Sequence, residues 1–149
     1  MTWEGATIDA TDSLRATVNI AEGVCDSTYA VRVKIVDYNG CEADSAYRFR
    51  VVDTVAPVIT GTLPDITIAC LSELPAAMTT VAQLQDSLVG ASAGITDNCY
   101  DDIDKLQLSS VTDDITALCH TTYHRTYTVT DSCGNYASIV QNIVFNDSL

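Results

Sequence analysis

Positive charge is scarce in this chain. Lys and Arg together number 7 against 20 Asp and Glu, giving a formal net charge of −13 over 149 residues. A phosphate backbone would be repelled by that balance, which excludes nucleic acid as a partner. No apolar run approaches the roughly 20 residues a membrane helix needs, so no membrane insertion is expected of this segment. The opening Met1-Thr-Trp-Glu-Gly5 has neither the basic nor the apolar stretch of a signal peptide, so export would depend on a signal outside this window. None of the 6 cysteines forms a C-x-x-C pair, which argues against zinc ribbons and thioredoxin-type sites. Only 2 Phe and 1 Trp are present, too few for an exposed aromatic platform. No Ser-His-Asp or Cys-His constellation is visible, so the chain is not expected to be an enzyme and no catalytic residue is assigned.

What is abundant points to sheet. Thr (19) and Val (15) abound, and β-branched side chains suit a pleated, half-buried surface. Tyr29, Val31, Val33 and Ile35 alternate with Ala30, Arg32 and Lys34. Tyr123, Arg125, Tyr127 and Val129 alternate with His124, Thr126 and Thr128. These two strands belong to an internal repeat. Cys25, Thr28, Tyr29, Asp37, Gly40, Ala43 and Asp53 recur 94 residues later as Cys119, Thr122, Tyr123, Asp131, Gly134, Ala137 and Asp147. A 94-residue period is about the length of one β-sandwich domain, so the chain reads as a tandem array. Residues 1–53 are then the back half of a first repeat, and 54–149 a complete second one. In each copy the last two strands flank the Asp–Gly turn.

Thr54-Val-Ala-Pro57 is a short stiff linker, since Pro cannot pair in a central strand. Val58-Ile59-Thr60 opens the complete repeat, and Ile66, Ile68 and Cys70 share one face of the next strand. From Thr79 to Ala91 the β pattern breaks. Val81, Leu84 and Leu88 lie at helical spacing behind a Thr cap, which predicts one short surface helix. Leu106 and Leu108 mark a further strand.

The segments DTVAPVITGTLPDITIAC, ITDNC and TYTVTDSCGN resemble the HYR-type, immunoglobulin-like repeats of very large bacterial surface proteins. They are most similar to repeats of the gliding-motility adhesins exported by the type IX secretion system. The likeness covers 54–147 continuously and 25–53 as a partial copy. It implies an all-β fold of tandem immunoglobulin-like sandwiches, forming a secreted or cell-surface stalk that carries adhesion at a distance. Its partners would be neighbouring repeats of the same chain, with surface polysaccharide or other cells at the far end. The alternative function is a ligand- or carbohydrate-binding accessory module of a secreted enzyme.

An even cysteine count on an acidic, Thr-rich chain reads as disulfides in an oxidising, extracellular compartment. Cys119 and Cys133 bracket one strand of roughly 30 Å, whereas bonded cysteines need Cα atoms within about 7 Å. If Cys99 sits in a loop at the same end as the Asp131–Gly134 turn, Cys99–Cys133 closes that end and Cys70–Cys119 the other; Cys25 and Cys41 are expected to find partners outside the chain. The acidic loop Asp97, Asn98, Asp101, Asp102 and Asp104 has two readings, a calcium loop or a solvated acidic loop. His120 and His124 sit roughly 13 Å apart on a strand, too far to share a metal. Tyr29 and Tyr123 resemble a tyrosine corner, and Trp3 is expected in the core. Asp followed by Ser or Thr and a further small or apolar residue recurs at Ser13, Ser27, Ser45, Thr54, Ser87 and Ser148. The pattern resembles a bacterial O-glycosylation acceptor, and it is also ordinary turn chemistry.

Overall fold

The computed structural model describes residues 2–4, 7–8, 16–21, 24–113 and 122–146. The chain divides into two compact units, Met1–Asp53 and Thr54–Leu149. Both are built mostly of strands, and the described residues hold one short α-helix.

The first unit contains β1 (Thr2–Glu4), β2 (Thr7–Ile8), β3 (Ala16–Thr17), β4 (Asp26–Val36) and β5 (Glu42–Val52). An antiparallel sheet of order β1-β4-β5 carries its longest strands, while β2 pairs with β3. Alternation sorts the β4–β5 hairpin into two faces. Tyr29, Val31 and Val33 stand directly opposite Phe49, Tyr47 and Ser45, and the Tyr29 and Phe49 rings stack with centroids 5.8 Å apart. The other face takes the charge: Lys34 pairs with Glu42 at 2.7 Å, and Arg50 grips Asp26 through two bonds of 2.5 and 2.6 Å.

The second unit contains β6 (Val58–Thr62), β7 (Ile66–Ile68), α1 (Val81–Ser87), β8 (Val89–Thr96), β9 (Gln107–Thr112), β10 (Thr122–Thr130) and β11 (Tyr136–Phe145). One sheet has the order β7-β11-β10-β9, parallel between β7 and β11 and antiparallel elsewhere; the other is the pair β6-β8. They pack over a core in which Tyr127 and Val129 of β10 meet Ile95 of β8 and Val81, Leu84 and Leu88 of the helical segment. A satellite cluster joins Ile68, Tyr123 and Ile143. Each such buried side chain contributes about 1.5–3 kcal/mol through apolar burial.

The helix forms where its periodicity predicts, and its cap is reciprocal. Thr80 accepts the Gln83 amide at 3.2 Å, and the Gln83 side chain accepts the Thr79 amide at 2.9 Å. It stops at Ser87, earlier than the sequence pattern suggests, and β8 takes the residues from Val89. Leu88 turns extended there, and Gly90 has φ = 135°, far from any helical value. The Ile66–Ile68 strand also stops short of Cys70. Glu73 accepts the amides of Ala69 and Cys70 at 2.8 and 3.3 Å and bends the chain into a 3-10 turn at Leu71–Glu73.

The repeat survives into three dimensions. Tyr29 faces Phe49 across the first hairpin, and Tyr123 faces Ile143 across the second, each number raised by 94. On the far side of the first hairpin strand, β1 pairs with β4 as β9 pairs with β10, both antiparallel.

Candidate functional site

The turn between β10 and β11 organises one end of the second unit. Asp131 is buried, and its Oδ1 accepts the amides of Cys133 (2.8 Å) and Asn135 (2.9 Å) while Oδ2 accepts Asn135 Nδ2 (2.8 Å). Gly134, with φ = 88°, lets the chain reverse. Against this turn lies the acidic loop. Its buried Tyr100 donates to Ser132 Oγ and accepts the Ser132 amide at 3.3 Å.

Sequence reasoning brought the Cys99 loop to this end of the unit, yet the link is made by Tyr100 and Ser132. The expected Cys99–Cys133 bond is not formed. Cys99 keeps its thiol, because Asp97 Oδ1 holds the Cys99 amide at 2.9 Å in a tight turn that sets Sγ 3.1 Å from Asn98 Nδ2. Cys133 and Cys25 are each disulfide-bonded. Cys41 and Cys70 are exposed free thiols. The expected partner of Cys70, Cys119, lies outside the described residues, as does His120.

Within the acidic loop the carboxylates cap turns. Asp102 Oδ1 accepts the Asp104 amide at 3.1 Å and starts the 3-10 turn Ile103–Lys105. Among the described residues, no three of Asp97, Cys99, Asp101, Asp102 and Asp104 bring ligand atoms within 4.8 Å of one another. Asp97 Oδ2 is buried and accepts no hydrogen bond. His124 bonds Asp113 Oδ2 through Nδ1 at 3.0 Å, across the edge of β9 and β10.

Of the hydroxyls in Asp-Ser/Thr contexts, Ser45 and Thr54 are exposed. Ser27 and Ser87 are half-buried, and Ser87 Oγ donates to the Gln83 carbonyl at 2.9 Å. Ser13 and Ser148 lie outside the described residues. Tyr123 is buried, whereas its counterpart Tyr29 is half-buried.

Two buried polar side chains were not recognised from sequence. Arg125 donates to the Pro75 carbonyl at 3.0 Å and to Thr112 Oγ1 at 3.2 Å, and Gln141 donates to the Pro64 carbonyl at 3.2 Å. Both tie loops of the second unit to its sheet. Their signal is a polar residue at an inward-phased strand position, which must find partners where it is buried. A recess of about 570 Å³ opens beside Thr79, Thr80, Asp104 and Gln107.

No family model matches the chain, and no curated protein is significantly similar to it.

Proposed function

We propose that the chain is a structural repeat segment, a stalk of tandem immunoglobulin-like sandwiches, from a long secreted or cell-surface adhesin. The observation that carries this reading is the recurrence of one hairpin and its Asp–Gly turn, register intact, once in each compact unit. A unit that repeats its scaffold while changing its surface serves as a spacer, and adhesion is exercised by other parts of the molecule. Two packed sheets with a central hairpin support the sandwich assignment. Half-cystines at Cys25 and Cys133 support an oxidising, extracellular setting. The charge of −13 keeps such a surface solvated and self-repelling, which favours an extended stalk. Against an accessory sugar-binding module, the exposed tyrosines of the first unit are Tyr38 in a turn and Tyr47 on β5, and Tyr136 is on β11 of the second unit.

Glycan arrays and polysaccharide retention with the full chain test the reading. A stalk segment gives no saturable signal. Specific, saturable binding of a defined glycan by this chain alone would sink it.

A further inference from the structure

Asn39-Gly40, at the tip of the first hairpin, is the one Asn–Gly pair in the sequence. The Gly40 amide donates to the Asp37 carbonyl at 3.1 Å, and the Asn39 amide to Asp37 Oδ1 at 2.8 Å. Both residues are exposed, and Tyr38 beside them is 103% exposed, so water reaches the tip freely. A Cβ built on Gly40 would meet nothing within 4 Å. No hydrogen bond to a described residue holds the Asn39 side chain. The other asparagines differ. Asn135 and Asn142 tie their amide groups to Asp131 and Asp65 at 2.8 and 3.0 Å. Asn19, Asn98, Asn135, Asn142 and Asn146 all precede residues with side chains, which crowd the backbone nitrogen that follows.

We propose that Asn39 is a self-modification site, which deamidates through a cyclic imide to isoaspartate and aspartate. This goes beyond the stalk reading and does not depend on it. The side-chain carbonyl carbon of Asn39 is the electrophile and the Gly40 backbone nitrogen the nucleophile. Exposed turn bonds open at small cost, which frees the Gly40 amide from the Asp37 carbonyl. Hydroxide takes the proton of that amide, and the nitrogen bonds to Asn39 Cγ. The Cγ–Nδ2 bond breaks, and Nδ2 leaves as ammonia with a proton from water. Nothing is oxidised or reduced. Water then opens the imide ring at either carbonyl, giving aspartate from one side and isoaspartate from the other. Isoaspartate carries the backbone through Cβ and Cγ, so the chain lengthens inside the loop that Asp37 Oδ1 closes onto the Asn39 and Cys41 amides. Each event also adds a negative charge to a tip flanked by Asp37 and Glu42. The second unit has no equivalent site, because Cys133 stands where Asn39 does, 94 residues on.

Peptide mapping by mass spectrometry tests this on the folded 149-residue chain, incubated in mildly alkaline buffer. The peptide holding Asn39 should gain the mass of an amide turned acid, with isoaspartate as the larger product. Conversion there should run about tenfold faster than at any other asparagine, a barrier difference of about 1.4 kcal/mol. The rate should climb with pH, because the deprotonated Gly40 amide is the attacking group. Asn39→Gln should abolish the gain, since its longer side chain closes a ring far more slowly. The same chain unfolded in urea is the reference, in which the turn no longer matters. Conversion at Asn39 in the urea sample, with none above the Asn135 rate in the folded chain, overturns the proposal. It would mean that the closed turn shields the amide. A rate that does not change with pH overturns it equally, because the Gly40 nitrogen would then not be the nucleophile.

Discussion

Asp37 and Asp131 hold equivalent turns in the two units through the same set of bonds. Oδ1 of Asp37 accepts the amides of Asn39 and Cys41, both at 2.8 Å, and Oδ1 of Asp131 accepts those of Cys133 and Asn135. Each Asp amide donates to the carbonyl four residues on, at 2.9 and 3.0 Å. What differs is burial: Asp37 is exposed, whereas Asp131 is buried and holds Asn135 Nδ2 besides. Asp131→Ala should therefore cost the second unit about 3 kcal/mol, by loss of charge-assisted bonds and orphaned amides. Asp37→Ala should cost the first unit only about 1 kcal/mol, because water replaces the lost bonds. Urea unfolding of the two variants, followed by a probe in each unit, checks the ranking.

The helix should stabilise the second unit through its buried face more than through its cap. Leu84 is fully buried in the main core. Leu84→Ala is expected to cost about 2–5 kcal/mol through lost burial and a residual cavity. Thr80→Ala removes one capping bond of 3.2 Å and should cost about 1 kcal/mol. Denaturant midpoints measured side by side settle the order. A larger loss from Thr80→Ala would mean that the helix is held by its end and not by its packing.

How much of this was legible in advance follows from the range of each interaction. The alternation of Tyr123 to Val129 and the i, i+3 spacing of Val81 and Leu84 are local patterns, and they appear as strand and helix, with Leu88 just past the helix end. The Asp–Gly turns were legible for the same reason. Tyr100 bonding Ser132 was not, since the pair is separated by 32 residues and neither side chain marks its partner. The acidic loop is ambiguous in sequence because Asp serves turn capping and metal ligation equally well. Only the fold shows that Asp97 and Asp102 bind amides of their own loop. The buried roles of Arg125 and Gln141 depend on the Pro75 and Pro64 carbonyls, 50 and 77 residues away.

The Asp26–Arg50 pair makes the first hairpin sensitive to acid. The bidentate hydrogen bond from Arg50 holds the Asp26 carboxyl below its ordinary value, outweighing the opposing effect of desolvation and assisted by the Arg50 charge. A carboxylate with a lowered folded-state pKa contributes stability above the unfolded value, near 3.9. That contribution is lost as pH falls through the lower folded value. Arg50→Gln should return Asp26 to the ordinary carboxylate range, as read by NMR titration of its side-chain carboxyl. Added salt should move it the same way in the parent chain, because the pair is exposed and screened. Titration of Asp26 at the same pH in both proteins would show that the pair is not populated in solution.

Gly61 is where the β6–β8 pair depends on the absence of a side chain. The register slips between Thr60 and Thr62, and Gly61 sits in the slip with φ = 108°, a conformation side chains rarely adopt. A Cβ there would stand 2.9 Å from the Val89 carbonyl oxygen and 3.0 Å from the Ala93 Cβ. Neither neighbour can swing away, since one is backbone and the other a single methyl on the paired strand. Gly61→Ala therefore combines backbone strain with a steric clash and should cost about 3 kcal/mol or more. Gly40→Ala is the matched control: its φ is 83°, and nothing lies within 4 Å of the added Cβ. It should cost about 1 kcal/mol from strain alone. Thermal unfolding of both variants measures the gap. Equal losses would show that the bulge relaxes to admit the methyl group and that backbone conformation alone selects glycine there.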